Sequence, residues 1–210
     1  MPNKDGYEVT EFLKNDERTS HVPLVLLTAK ADAQSRLAGL RRGADAYLAK
    51  PFHREELLAT LDNLLELRRK LQAKYVRDAG FGPGAVEPGK IRNPDADPSA
   101  GGEPQYEMED AFLQKVRAVI LEHLSDATFT VEGLSQSLAM SQRQLHRKLA
   151  ALTDQNASAL IRSMRLAKAK ELLLAGEKNV SEVAYATGFD DPKYFSRVFA
   201  KEFGVPPSKI

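Results

Sequence analysis

Cysteine is absent from the 210 residues of this sequence. Neither a disulfide framework nor a thiolate metal site can therefore form, and a reducing cytoplasm is the natural setting for such a chain. Long hydrophobic runs are also lacking, since none approaches the roughly 18 residues that a membrane span needs, and the first residues lack the apolar core of a signal peptide. We expect a cytoplasmic protein with no membrane partner.

An excess of either charge is lacking as well, because 30 basic residues face 29 acidic residues and the formal net charge is +1. The total neither favours nor excludes nucleic acid as a partner, so the position of the charges must decide. Between positions 143 and 170 there is one acidic residue, Asp154, against seven basic residues, which gives a local charge of +6. The seven are Arg143, Arg147, Lys148, Arg162, Arg165, Lys168 and Lys170.

Glycine and proline are concentrated between Val76 and Tyr106, where no periodic apolar pattern occurs. This composition predicts a flexible linker over 76–106. Irregular segments of that length are uncommon inside a compact domain. The chain therefore divides into an N-terminal segment (1–75) and a C-terminal domain (107–210).

The N-terminal segment is predicted to be α/β, because short apolar runs alternate with stretches of helical periodicity. Strands are predicted over 24–27 and 46–49, and helices over 6–15, 32–42 and 54–75. Two parallel strands have open edges and too few partners for an independently stable sheet. We expect an incomplete α/β unit with a part missing upstream.

The C-terminal segment is predicted to be all helical, which makes the chain mainly α. Its first helix places apolar residues on one face, namely Phe112, Val116, Val119, Ile120 and Leu124. Further helices are predicted over 131–139, 142–152, 158–175, 180–187 and 192–203.

Two pairs of these short helices are predicted helix-turn-helix units. In the first pair, apolar positions stand on both sides of a tight turn at 139–141. In the second pair, Gly188 ends the first helix at a position suited to positive φ, and Pro192 begins the next helix. The predicted capping residues are Ser141 with Gln144, Asn179 with Glu182, and Asp191.

The second helix of each pair keeps a polar and basic outer face. Arginine, lysine and glutamine can bond to base edges or neutralise phosphates, so these faces are candidate DNA contacts. On the first pair the candidates are Gln142, Arg143, Gln144, His146, Arg147 and Lys148, and on the second pair they are Lys193, Tyr194, Ser196, Arg197 and Lys201.

The helix between the pairs would be roughly 27 Å long, near the ~34 Å between successive major-groove faces, so one monomer could contact two turns of DNA. A merely solvated helix face is the alternative reading of Arg143, Arg147 and Lys148. His146 could contact a phosphate or simply lie on the surface, and Tyr194 could touch a phosphate or brace the turn.

Two stretches of the C-terminal segment resemble a known family. The stretch VSEVAYATGFDDPKYFSRVFAKEFGVPPS (180–208) resembles the second helix-turn-helix signature of AraC-type transcription regulators, and SQRQLHRKL (141–149) resembles their first recognition helix. The resemblance covers nearly all of 108–210. It implies that both recognition helices enter the major groove of double-stranded DNA, with base-reading roles for Arg143, Gln144, Arg147, Lys193 and Arg197. Family members usually continue with an aromatic and a basic residue, so we expect a clipped C-terminus that leaves the fold intact.

The N-terminal segment resembles a response-regulator receiver domain, which has a flavodoxin-like fold. The matching stretches are MPNKDG (1–6), LVLLTA (24–29) and AYLAKPF (46–52). The resemblance implies that Thr28 senses a phosphoryl oxygen, that Lys50 pairs with its charge and that Tyr47 couples to a partner surface. It also implies a cis Lys50–Pro51 peptide.

The family's aspartate acceptor and its magnesium-binding acidic pair are absent from the positions where the resemblance would place them, and Asp5 is expected to cap a helix instead. No cofactor is expected, because Mg²⁺ belongs to an intact receiver, and Thr28 and Lys50 would be vestigial. The order of a receiver end followed by an AraC-type module resembles the end of hybrid two-component proteins, which would make Met1 an internal methionine.

The resulting hypothesis is a sequence-specific DNA-binding transcription regulator, the output end of a two-component phosphorelay, and not an enzyme. A sensor kinase and RNA polymerase are further candidate partners, and a homodimer is left open. One alternative is a fragment of a hybrid sensor histidine kinase with its catalytic parts upstream, and another is a fragment that binds a receiver or kinase. The scattered His21, His53 and His123 have no metal-ligand spacing.

Overall fold

The structure is a computed structural model that describes residues 5–29, 33–78, 104–176 and 178–210. Contacts divide the chain into two units. The first unit contains the described residues up to 73 together with 104–112, and the second contains 74–78 and the described residues from 113 onward. Most of the predicted linker, 79–103, lies outside the described residues.

The first unit is α/β, with a two-stranded parallel sheet among its described residues. Its elements are α1 (Gly6–Asn15), β1 (Val25–Thr28), α2 (Ala33–Arg41), β2 (Ala46–Ala49) and α3 (Arg54–Asp78), the last of which continues into the second unit. Val25 pairs with Ala46 and Thr28 pairs with Ala49. The incomplete α/β architecture is confirmed, and β1 lies one residue later than predicted.

A partly buried ion pair joins α1 to the residues that lead into the two strands. The Lys14 ammonium is 2.7 Å from the Asp45 carboxylate and also donates to the Ser20 carbonyl oxygen at 3.4 Å. The same carboxylate accepts the backbone N–H of Leu24 at 2.6 Å. Because each charge has further hydrogen-bond partners, the pair meets the condition under which burial of two charges is tolerated. Nothing in the sequence pattern predicted this contact.

The second unit is all helical in its described residues, as predicted. In chain order, the elements of the C-terminal part are α4 (Pro104–Glu122), α5 (Val131–Ser137), α6 (Gln142–Thr153), α7 (Ala157–Ala175), α8 (Val180–Ala186), α9 (Pro192–Phe203) and a 3₁₀ turn (Pro207–Lys209). The apolar face predicted on α4 is buried at Phe112, Val116 and Ile120. The 3₁₀ turn had no counterpart in the prediction.

The predicted linker boundaries need correction, because α3 runs to Asp78 and α4 begins at Pro104. Proline is compatible with the first helical position, since the N–H that it lacks would have no partner within the helix there. The start of the C-terminal domain at 107 also differs from the division by contacts. The Ser20 hydroxyl donates to the buried Glu109 carboxylate at 2.5 Å, which groups the first half of α4 with the first unit.

Candidate nucleic-acid interface

The first helix-turn-helix consists of α5 and α6. Leu134, Leu145 and Leu149 are fully buried between the helices, as the apolar pattern predicted. The Ser141 N–H donates to the Gln144 side-chain oxygen at 3.0 Å, and the Gln144 N–H donates to the Ser141 hydroxyl oxygen at 3.3 Å. This confirmed capping box fixes where α6 begins and therefore which of its residues face outward.

The outer face of α6 carries four exposed candidates, Gln142, Arg143, His146 and Arg147. Gln144 is half-buried, and its side-chain oxygen is already occupied by the cap. A donor set of two guanidinium groups, an amide and an imidazole can serve base edges or phosphates. The exposed surface of α6 is therefore suited to DNA.

Lys148 does not lie on the outer face of α6 as predicted, because its side chain is 0% exposed. It stands three residues after Leu145 and four residues before Leu152, both buried, so the helical period places it on the inner side of α6. A fully buried ammonium cannot reach a phosphate from this position. We remove Lys148 from the candidate DNA contacts.

The second helix-turn-helix consists of α8 and α9, and its predicted caps are confirmed. The Asn179 side chain accepts the N–H groups of Ser181 and Glu182, and the Glu182 carboxylate accepts the Asn179 N–H at 2.8 Å. Gly188 has φ 75°, and Asp191 caps α9 by accepting the Lys193 N–H at 2.8 Å. These local bonds set the phase of α9.

An aromatic cluster holds α9 in place. Phe195 and Phe199 are fully buried, and their ring centroids are 5.5 Å apart with tilted planes. Phe189 in the turn lies 5.2 Å from Phe195 in a similar arrangement. Tilted aromatic pairs add directional packing to hydrophobic burial, so the helix has a well-defined inner side.

The outer side of α9 exposes Lys193, Tyr194, Arg197 and Lys201, while Ser196 is half-buried and its hydroxyl donates to the Pro192 carbonyl oxygen at 2.9 Å. The Arg197 guanidinium lies 5.4 Å from the centre of the Tyr194 ring, and that ring is 6.3 Å from the ring of Phe189. The Tyr194 ring thus lies beside both the turn residue Phe189 and Arg197, and its contact with a phosphate stays a prediction.

The basic run of the sequence is distributed over several environments. Lys168 pairs with Glu171 at 2.6 Å, and the Lys170 ammonium lies 4.9 Å from the centre of the Phe203 ring. Arg165 donates to backbone carbonyls, and Lys148 is buried. Of the seven basic residues, Arg143, Arg147 and Arg162 are exposed and take no part in these contacts. The local +6 thus overstates the charge of the outer surface.

α7 connects the two helix-turn-helices and packs against both α6 and α8. It has 19 residues, which corresponds to roughly 28 Å at about 1.5 Å per residue. Asn156 caps its start through the Ala159 N–H at 2.8 Å, and Gly176 ends it with φ 70°. The length agrees with the prediction and is near the ~34 Å between successive major-groove faces.

A groove of about 500 Å³ lies beside α7, between the loop before α5 and the turn before α9. Arg165 lines it, and burial lowers the pKa of this guanidinium against the opposing effects of Asp126 and Asp190. The hydroxyl and backbone N–H of Thr128 donate to Asp126 and hold the pKa of that carboxyl below its usual value.

In the first unit, the phosphoryl-pocket candidates lie at or near the carboxyl ends of the two strands. The Lys50 N–H donates to the Thr28 carbonyl oxygen at 2.6 Å, which joins the strand ends. Lys50 is exposed, whereas Thr28 and Tyr47 are half-buried. The Lys50–Pro51 peptide is cis, as predicted, and Asp5 is the N-cap of α1 within a capping box.

Within the described ranges, no group of three or more histidine, aspartate or glutamate side chains is placed to hold a metal ion. None of the helices in the described part of the chain combines the length and apolar character of a membrane span.

Two family models match the chain. Residues 1–62 match the response regulator receiver domain, and residues 134–210 match a helix-turn-helix domain. These ranges contain the two strands with their end residues and both recognition helices. The N-terminal α/β part and the C-terminal helical part thus match two different domain families.

The similar proteins are signalling proteins and regulators. Histidine kinase P4 of Formosa agariphila is 32% identical over 209 residues, which is 100% of this chain and 14% of the kinase. The HTH-type transcriptional activator RhaS of Escherichia fergusonii is 34% identical over 104 residues, which is 50% of this chain and 37% of the activator. The chain therefore spans less than half the length of these curated relatives.

Among solved structures, the C-terminal domain of AraT, a response regulator from Geobacillus stearothermophilus, is 32% identical, with a TM-score of 0.44. The match covers 46% of this chain and 79% of that domain.

Proposed function

We propose that this chain is a DNA-binding transcription regulator of a two-component system, and that it selects base sequences through α6 and α9. The matches of residues 1–62 to the response regulator receiver domain and of residues 134–210 to a helix-turn-helix domain support the proposal. One observation carries the proposal: each recognition helix is capped, buried on its apolar side and exposed on a polar side that carries two arginines on α6 and an arginine with two lysines on α9. Phosphate contacts would position the protein, and base contacts would specify the sequence.

The roles follow from position on each helix. Arg143 and Arg147 on α6 are the proposed base-reading residues of the first helix-turn-helix, and Lys193 and Arg197 are those of the second. Arginine is suited to guanine because its two N–H donors match O6 and N7 in the major groove. The remaining exposed candidates, Gln142, His146, Tyr194 and Lys201, are proposed to serve the backbone.

A binding selection tests the proposal. The full chain is incubated with a random DNA pool, bound sequences are enriched, and affinity for the enriched site is followed against salt. We expect two sequence blocks about one helical turn apart. The logarithm of affinity should fall with the logarithm of salt concentration with a slope of up to about −4.5, because five basic side chains on α6 and α9 are exposed. A failure to enrich any sequence, or a flat salt response, would contradict the proposal.

Arg147→Ala tests base reading at one residue. The variant should lose about 1–3 kcal/mol on the selected site and relax the preference at one position of the first block. Lys70→Ala is a matched control, because it removes the same charge at a distant site. Lys70 is exposed on α3 and pairs with Glu66 at 2.8 Å. An equal loss for Arg147→Ala on every sequence would assign it to phosphate instead.

A second candidate concerns the signalling side. The match along this whole chain to 14% of histidine kinase P4 favours a role as the output unit of a hybrid sensor kinase. We propose a sensor kinase and RNA polymerase as protein partners, and we propose that the chain itself has no catalytic activity. Incubation with labelled ATP should leave it unlabelled, and a phosphorylated histidine would support the kinase reading instead.

Phosphoryl acceptance can be tested separately with acetyl phosphate and Mg²⁺. Asp5 is engaged as a helix cap, with its carboxylate accepting the Glu8 N–H at 2.8 Å. We propose that Thr28 and Lys50 mark a phosphoryl pocket that lacks its acceptor in this chain. The intact mass should therefore stay constant, and an acid-labile phosphoryl group on an aspartate would contradict the proposal.

A further inference from the structure

The guanidinium of Arg165 contacts the segment that leads into the first helix-turn-helix. Its Nη2 donates to the carbonyl oxygen of Asp126 at 2.5 Å and lies 3.4 Å from that of Phe129. Both carbonyls belong to the loop before α5, whereas Arg165 stands in the middle of α7. Hydrogen bonds from a charged donor are stronger than those from a neutral one, so this is a firm attachment between loop and helix.

The loop that accepts these bonds is itself well braced. The N–H and the hydroxyl of Thr128 both donate to one carboxylate oxygen of Asp126, at 2.8 and 2.7 Å. The Phe129 ring is buried and stacks on His123 with 4.6 Å between ring centroids. Because the loop continues directly into α5, an attachment to the loop is an attachment to the whole first helix-turn-helix.

The Nε end of the same guanidinium lies against the second helix-turn-helix. A Cβ atom at Gly188 would lie 2.9 Å from Arg165 Nε and 2.5 Å from the Leu124 carbonyl oxygen. The backbone of Gly188 therefore lies directly against both groups. Gly188 belongs to the turn between α8 and α9, so a displacement of this turn would move α9 with it. The Arg165 Nε is buried and without a hydrogen-bond partner, which is consistent with a side chain held by its Nη2 bonds and by packing.

We propose that Arg165 is a positioning residue that clasps the loop before α5 to the turn before α9, and so fixes the spacing and orientation of the two recognition helices. The inference rests on the proposed function, because helix spacing matters only if both helices bind DNA. Its consequence is a strict preference for one spacer length between the two DNA blocks.

The physical reason is the effective concentration of the second helix once the first is bound. A rigid connection of matching length presents α9 to its block without further ordering, whereas a loose connection presents it in many orientations. Without Arg165, α7 still connects the two helix-turn-helices, and α6 and α9 each still face their own DNA block. The loss should therefore fall on the combined site and spare each block alone.

The test uses the full chain with Arg165→Met and Arg165→Lys, and Arg162→Met as the matched control. Arg162 is an exposed arginine one turn earlier on α7. The DNA probes are the selected duplex, the same duplex with its spacer changed by about one or two base pairs, and duplexes carrying one block only. Binding is followed by fluorescence anisotropy at several salt concentrations, and circular dichroism checks folding.

Arg165→Met should bind the selected duplex about tenfold more weakly, as expected for the loss of a charged hydrogen bond. Its preference among spacers should flatten, and its affinity for single blocks should stay close to that of the wild type. Arg165→Lys retains a charged donor without the planar fork and should fall between the two. If Arg165→Met is unfolded, Arg165→Lys carries the test. Arg162→Met should keep the wild-type spacer preference.

Three results would overturn the inference. Arg165→Met could retain the wild-type spacer preference, or it could weaken binding equally on every duplex. It could also lower the salt slope by about one unit, which would make Arg165 a direct phosphate contact. A wild-type chain that binds no DNA would instead contradict the proposed function, and the inference with it.

Discussion

Replacement of Gly188 by alanine gives the sharpest test of the packing described above. Gly188 has φ 75°, and an added Cβ would lie 2.5 Å from the Leu124 carbonyl oxygen and 2.9 Å from Arg165 Nε. The first neighbour is backbone and the second belongs to a side chain held by hydrogen bonds, so neither can move freely. We expect Gly188→Ala to destabilise the second unit.

The magnitude is the sum of three contributions. An alanine in the left-handed region costs about 1–2 kcal/mol, and overpacking of a closed site adds about 1–3 kcal/mol. The lower entropy of the unfolded chain offsets about 0.4–1 kcal/mol. The sum spans about 1–5 kcal/mol with a centre near 3 kcal/mol, and the central value for a chain of this size lowers Tm by roughly 6–12 °C.

Gly204→Ala is the matched control. Gly204 has the same φ of 75°, but a Cβ added there would have no neighbouring atom within 4 Å. It should cost about 1 kcal/mol or less, since only the backbone terms apply. Urea unfolding of the full chain, followed by far-UV circular dichroism, measures both variants, and equal m-values allow the comparison. Equal destabilisation by the two substitutions would refute the close contact at Gly188.

Two further substitutions test individual side chains. Lys148→Ala should destabilise the chain by about 2 kcal/mol or more through loss of a buried stem, yet leave the salt slope of DNA binding unchanged; a lower slope would return Lys148 to the interface. Thr128→Val removes the hydroxyl that donates to Asp126 and should raise the pKa of that carboxyl toward its usual value. A depressed pKa stabilises the fold above the unfolded value and loses this effect as pH falls through the folded value, so the variant should lose stability at neutral pH relative to strongly acidic pH. A carboxyl NMR titration that shows no rise would contradict the assignment.

The parts of the fold that could be predicted are those set by short-range contacts. A capping box depends on residues three positions apart, so Ser141 with Gln144 and Asn179 with Glu182 were identifiable from the sequence. Positive φ at Gly188 follows from its place after a short apolar helix. These local signals fix the phase of α6 and α9, which explains why most of their outer faces were predicted correctly.

The ends of the linker were harder to place. Val76 and its neighbours have no strong apolar period, yet α3 continues to Asp78 because nothing in these residues interrupts a helix. The bond between Ser20 and Glu109 joins positions far apart in the sequence, and it decides which unit the start of α4 groups with. A composition-based boundary cannot register a contact of this kind.

The basic run shows the two ways in which a charge pattern can mislead. The burial of Lys148 could have been predicted, because its spacing from Leu145 and Leu152 places it on the buried face of α6. Its charge alone suggested the opposite. Arg165 was beyond reach, since its carbonyl acceptors lie in a loop 39 and 36 positions earlier. Arg165 is half-buried, and its Nη2 donates to backbone carbonyls within the protein. The arginine that would determine where the two recognition helices stand thus belongs to the framework of the interface, while the smaller exposed set on α6 and α9 remains available to the nucleic acid.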